Sequence, residues 1–170
     1  MQNTVLALVG DDYEDLELWY PKIRLEEAGF GMHLAAAEKR TCHGKYGYPA
    51  EPDVLISKVR TMDYCGLLIP GGWMPDKLRR EPKVLDIVRE FHETKRVIGF
   101  ICHGGWIPIS ARILKGKKAT GSHGIKDDLI NAGAQWVDAS VVVDGHLVSS
   151  RTPRDLAPFA FEMVKLLKRQ

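Results

Sequence analysis

The sequence predicts an α/β fold of the flavodoxin-like kind: a three-layer sandwich with a mostly parallel sheet and helices on both faces. Residues 1–170 read as one domain, with a nucleophile elbow after a central strand. Three observations carry this. Apolar runs without polar alternation recur at residues 4–9, 65–69 and 97–101, as strands covered on both faces require. Segments of helical periodicity separate them. Glycine-rich or acidic turns follow these runs, where open parallel sheets gather their ligands.

Residues 4–9 read as a central strand. The acids of Gly10-Asp11-Asp12-Tyr13-Glu14-Asp15 then precede Leu16, Leu18, Trp19, Ile23 and Leu25, spaced at helical intervals. Acids in a first turn favour the helix dipole, and Gly29 ends the segment. Residues 33–37 are a second strand. Residues 38–52 are polar, with Gly44, Gly47 and Pro49, and read as a loop or small hairpin. Residues 65–69 form a third strand, stopped by Pro70-Gly71-Gly72. Val84, Ile87, Val88 and Phe91 make one helical stripe. Residues 97–101 are the fourth strand, and Cys102 follows at once. Residues 104–114 have a helical pattern. Residues 141–148 predict a hairpin with a two-residue Asp144-Gly145 turn, and a helix over 155–167 closes the chain.

The net charge is +2, which gives no basic field for nucleic acid or acidic membranes. The longest apolar runs fall far short of a membrane span. Met1-Gln2-Asn3 leads directly into the first strand, without the basic and apolar regions of a secretory leader. The three cysteines are widely spaced and odd in number, which argues against a disulfide framework and places the chain in the cytoplasm. Cys65 opens an apolar run and reads as a core thiol. The Cys-His pairs at 42–43 and 102–103 lack zinc-ligand spacing, so no metal is expected, nor any other cofactor.

The chemistry should lie where the loops after the first, third and fourth strands converge. Cys102 is squeezed between a strand and a helical segment and followed by Gly104 and Gly105, the pattern of a nucleophile elbow. A helix N-terminus stabilises a thiolate, and His103 can accept the thiol proton. Backbone N–H groups at Gly104, Gly71 or Gly72 would hold an oxyanion. Cys42-His43-Gly44 repeats the tripeptide but follows a polar run, so Cys42 reads as a surface or loop thiol. Glu14 hydrogen-bonds the thiol if the first and fourth strands are neighbours; otherwise it is an ordinary first-turn acid. Asp76, after Pro75, reads as an N-terminal helix residue. His123 lines the same crevice or sits in a loop. Trp73 and Trp106 wall a pocket or pack elsewhere.

The string Leu68-Ile69-Pro70-Gly71-Gly72-x-x-Pro75, then Ile101-Cys102-His103-Gly104, resembles the PfpI-type branch of the ThiJ/PfpI superfamily. So do Glu14-Asp15-x-Glu17-Leu18, residues 124–133, and the stretch from Trp136 to Arg151. The resemblance covers nearly the whole chain. It implies Cys102 as the reactive cysteine, His103 as its base partner and Glu14 as the carboxyl touching the sulfur. It implies that the acid orienting the histidine, at the position of Asp76, comes from a neighbouring subunit. The active site would then lie at the interface of a homodimer or higher oligomer. Members are described as intracellular proteases, glyoxalases, or deglycases of methylglyoxal- and glyoxal-modified thiols and amines. This chain has Asp76 where the branch usually has Glu, Gly105 where Pro is common, and Ser122-His123 for a Tyr-Pro pair.

Other cysteine and acidic folds fit less well. A glutamine amidotransferase needs a downstream His-x-Glu, which neither His123 nor His146 supplies. An α/β-hydrolase elbow wants glycine at the position of Phe100. A signalling receiver domain needs an acceptor Asp where Pro70 stands. The expected function is cysteine chemistry on a small carbonyl or glycated substrate, because no long strand-edge loop is present to clamp a peptide. An intracellular protease is the alternative, and an oxidation sensor without turnover is the third reading.

Overall fold

The computed structural model describes residues 3–170; Met1 and Gln2, where the start without a leader was read, lie outside the described residues. The strands and helices run β1 (Thr4–Leu8), α1 (Asp15–Glu27), β2 (Gly31–Ala36), β3 (Cys42–His43), β4 (Pro49–Ala50), β5 (Val54–Leu55), β6 (Gly66–Ile69), α2 (Met74–Leu78), α3 (Pro82–Glu93) and β7 (Val97–Ile101). There follow α4 (Trp106–Ser110), β8 (Lys118–Ala119), α5 (Lys126–Asn131), β9 (Gln135–Trp136), β10 (Val141–Asp144), β11 (Leu147–Ser150) and α6 (Leu156–Leu167).

Seven strands form the main sheet in the order β10-β11-β7-β6-β1-β2-β5. All its pairings are parallel except β10 with β11. The central strands β1, β6 and β7 are almost wholly buried, which is why they read as apolar runs without alternation. Helices α1 and α6 pack together on one face, and α3 with α4 covers the other. On α3, Val84, Ile87, Val88 and Phe91 are all fully buried. Each contributes about 1.5–3 kcal/mol by leaving water. The chain runs from β1 out to β2 and β5, then crosses back to β6 on the other side of β1. At that reversal the loops after β1, β6 and β7 meet at one end of the sheet.

Several expectations shift. On α1, Leu18 and Leu25 are buried, but Leu16 and Ile23 face outward. The acids Asp11 and Asp12 precede the helix in a loop where Asp12 has a left-handed φ of 65°. The polar stretch is the β3–β4 hairpin, which turns Cys42 inward, opposite Ala50. Cys42 is therefore buried, not a surface thiol, and it lines a cavity of about 200 Å³ with Val9, Ala36 and Met74. Cys65 is half-buried just before β6, its thiol 3.3 Å from the Thr4 carbonyl oxygen. The helix after Cys102 is short, because Arg112 takes a left-handed φ of 61°. The β10–β11 turn falls one residue later than expected. Asp144 pairs with Leu147 in the ladder while its side chain accepts the Lys118 N–H at 2.8 Å, leaving Gly145 and His146 to turn.

Among the described residues no helix is long and apolar enough to cross a membrane. All three cysteines are free.

His146, at that turn, meets His92 of α3 ring to ring, with Nε2 and Nδ1 3.0 Å apart. Burial, then the neighbouring His92, holds His146 down at about 4. Burial lowers His92 as well. The unfolded chain thus binds more protons than the fold between about pH 6.5 and pH 4, so stability is lost as pH falls through that window. Thermal midpoints measured from pH 7 to 4.5 should fall more steeply in the wild type than in His146→Phe; parallel curves would refute this.

Candidate active site

The site is built at the end of β7. The backbone is extended at Ile101 and then swings to a φ of 58° at Cys102. A left-handed conformation is uncommon for a residue with a Cβ. It throws the side chain off the strand axis as an elbow does. One 3-10 turn over Cys102–Gly105 leads into α4, and Ser122 N–H ties the elbow down by donating to the Cys102 carbonyl at 3.2 Å. Gly104 is buried in this turn.

Cys102 Sγ lies 3.2 Å from His103 Nδ1. The imidazole is half-buried against two indoles, Trp73 at 5.6 Å and Trp106, edge-on, at 4.9 Å between ring centroids. Burial, then the Lys45 charge, lowers the His103 pKa. The ring is therefore neutral at neutral pH, with a lone pair available to the thiol proton.

The carboxyl beside the sulfur is Glu17, not Glu14. Glu17 is fully buried, its Oε2 accepts the Gly71 N–H at 2.7 Å, and the Cys102 thiol is within its hydrogen-bonding reach. Its Oε1 has no hydrogen-bond partner among the described residues. Glu14 caps the start of α1 without a side-chain capping bond, and its Oε2 lies 3.1 Å from Lys45 Nζ. Three residues on, one turn into the helix, Glu17 lies beneath the Gly71 turn.

Burial, opposed by the Gly71 hydrogen bond, raises Glu17 to about 8, so it keeps its proton at neutral pH. Burial, then the Glu17 charge, pushes the Cys102 thiol up to about 12. The Glu17 part of that push is absent while Glu17 is protonated, and a neutral carboxyl beside Sγ is a donor rather than a repelling charge. The thiolate expected from a helix N-terminus is thus opposed by desolvation, against which a single 3-10 turn is a weak counterweight. His103 is placed to take the proton instead.

Gly71 does not serve as the oxyanion donor expected of it, because its N–H is held by Glu17. Its lack of a side chain is still required. A Cβ there would meet Glu17 Oε2 at 2.7 Å, Cys102 Cβ at 2.8 Å and His103 N at 3.0 Å. Gly72, at φ 78°, lies against the Asp12 carbonyl. Asp76 lies on α2, half-buried, and pairs with Arg80 just beyond the end of that helix. His123 is exposed, with Nε2 3.8 Å from Asp138. The backbone that borders His103 Nε2 is the next residue, Gly124. Among the described residues no cluster of three or more His, Cys, Asp or Glu is placed to hold a metal ion.

Lys45 and Glu17 were not singled out from the sequence. Lys45 arrives from the β3–β4 hairpin, with no local signal. Glu17 was legible in principle, as an acid on the buried stripe with Leu18, Pro21 and Leu25.

Two outcomes follow. Gly71→Ala should slow alkylation of Cys102 by about tenfold to a hundredfold, the scale of an ångström's misplacement; an unchanged rate would refute the packing argument. Glu17→Gln, a neutral isostere, should move the pH midpoint of that alkylation by less than about one unit. A drop of about two units or more would show that Glu17 carries a charge there.

The DJ-1/PfpI family profile matches residues 3–166. The chain is 46% identical over 164 residues to "Deglycase PH1704" of Pyrococcus horikoshii, covering 96% of this chain and 99% of that protein. It is 42% identical over 171 residues to the "Putative cysteine protease YraA" of Bacillus subtilis, covering 99% and 100%. A solved two-domain protein of Anabaena variabilis, with DJ-1/ThiJ/PfpI-like and ferritin-like domains, superposes with a TM-score of 0.96 at 34% identity, covering 98% of this chain and 48% of that one. The elbow, the Gly71-Gly72 turn and these matches along nearly the whole length lead to one conclusion: this chain belongs to the DJ-1/PfpI family.

Proposed function

We propose that this chain, as one domain over residues 1–170, is a cytoplasmic cysteine-dependent hydrolase of reactive carbonyls or glycated thiols and amines. The observation that carries the reading is the 3.2 Å approach of Cys102 Sγ to a neutral His103 Nδ1 at a left-handed elbow. The deglycase name of a relative 46% identical supports the substrate class.

For methylglyoxal the steps balance without an external oxidant or reductant. His103 takes the thiol proton as Sγ bonds the aldehyde carbon, and the proton passes to the carbonyl oxygen, giving a hemithioacetal. Moving the proton on that carbon to the neighbouring ketone carbon, and the hydroxyl proton to the ketone oxygen, yields a lactoyl thioester. Water then cleaves the C–S bond, releasing lactate and the thiol. The amides of Gly72 and Gly104 are the donors proposed for the oxyanion, Gly71 being taken by Glu17. His123 is left with at most a rim role toward substrate.

The same thiol and imidazole can attack a peptide carbonyl, and the name of the Bacillus subtilis relative favours that second reading. For either substrate we place the site at the interface of a homodimer or higher oligomer. Asp76, half-buried and paired with the nearby Arg80, would reach His103 of a second copy. Neither nucleic acid nor membrane enters this proposal.

Methylglyoxal loss with lactate formation should depend on Cys102, vanish in Cys102→Ala and leave a fluorogenic peptide intact. Peptide cleavage with methylglyoxal untouched would favour the protease, and silence in both would favour an oxidation sensor. A species that sediments as a monomer at micromolar concentration and stays fully active would refute the shared site.

A further inference from the structure

His103 has no acid of its own chain hydrogen-bonded to its ring among the described residues, yet its ring is held. Trp106 opens α4, directly after the elbow. Its indole meets the imidazole edge-on, with centroids 4.9 Å apart, and its Nε1 donates to Asp128 Oδ2 of α5 at 2.7 Å. A hydrogen bond to an ionised carboxylate is short and strong for its class. The Arg79 guanidinium lies over the indole, 5.6 Å from the ring centroid, itself fixed by a 2.8 Å bond to Ser110 Oγ. The indole is thus held by Arg79, at the C-cap of α2, and by Asp128 of α5 together.

We infer that Asp128 and Trp106 are positioning residues for His103: the carboxylate fixes the indole, and the indole edge keeps Nδ1 turned toward Cys102 Sγ. This rests on the reading of Cys102 as nucleophile and His103 as its base. An imidazole beside its own nucleophile can rotate about χ2 and present a carbon instead of Nδ1. Trp73 and Trp106, both packed on the imidazole, limit that rotation. Gly124, whose Cβ would stand 3.3 Å from Nε2, leaves the ring's outer nitrogen room.

Charge acts in the same sense. The groups around the ring are Lys45 from the hairpin, Asp128 from α5 and the thiol itself, while Glu17 stands at Cys102, Glu14 is paired with Lys45 and Asp76 is turned to Arg80. Lys45 opposes a proton on His103, and Asp128 favours it. The imidazolium formed when the thiol is deprotonated therefore has one supporting carboxylate within its own chain.

The test is iodoacetamide alkylation of Cys102 against pH, followed on its peptide by mass spectrometry, so that no substrate need be known. Asp128→Ala and Trp106→Phe should each slow alkylation about tenfold, and the double variant no further, since both break one clamp. Asp128→Asn keeps an acceptor for the indole and removes the charge. It should hold the plateau rate while moving the His103 limb to lower pH. Unchanged rates in Asp128→Ala and Trp106→Phe, additive losses, or a limb unmoved in Asp128→Asn would each overturn the inference. Wild-type turnover of methylglyoxal is scored separately. If it is absent while the alkylation effects appear, the substrate reading fails and the positioning role stands.

Discussion

A single buried carboxyl holds the site together. Glu17 rises from α1 into the space under the Gly71 turn, takes the Gly71 N–H and lies against Cys102. An ionised carboxylate buried this deeply with one full hydrogen bond would be costly. Holding the proton removes that cost and gives the group a donor. Three loops depend on it: the approach to α1, the glycine turn after β6, and the elbow after β7. The strand order supplies the occasion, since β1, β6 and β7 are consecutive neighbours and their carboxyl ends open together.

Around that centre the proton has a short route. Cys102 is desolvated and reluctant to ionise alone, His103 is kept neutral by burial and Lys45, and the two lie in hydrogen-bond reach. A nucleophile that acquires its charge only with a proton acceptor beside it suits electrophiles that need an oxygen protonated in return, as aldehydes do. The indoles of Trp73 and Trp106 keep the imidazole from turning away. The arrangement differs from a thiolate made permanent by a helix dipole, because the turn after Cys102 is too short to supply much of one.

Much of the fold was legible because it is written in burial. Strands covered on both faces leave uninterrupted apolar runs, and the stripe on α3 has helical spacing. The missed strands β5 and β9 have two residues each, too few for any period. Cys42 misled because its polar flanks are exposed while pairing with Ala50 turns its own side chain inward. The elbow was legible from its position between strand and glycines. The carboxyl was misplaced by one helical turn, since sequence gives the acids but not the residue at which α1 begins. The free Gly71 donor was misread because its acceptor is 54 residues away in sequence. Lys45 and the Trp106–Asp128 bond likewise join segments that only the fold brings together.

The central claim is that Glu17 is a neutral acid at the thiol. Infrared difference spectroscopy at neutral pH, wild type against Glu17→Gln, reads this directly. Substitution should remove a carboxylic-acid carbonyl band. Loss of carboxylate stretches instead would show Glu17 ionised beside Cys102 and would overturn its role as a neutral acid.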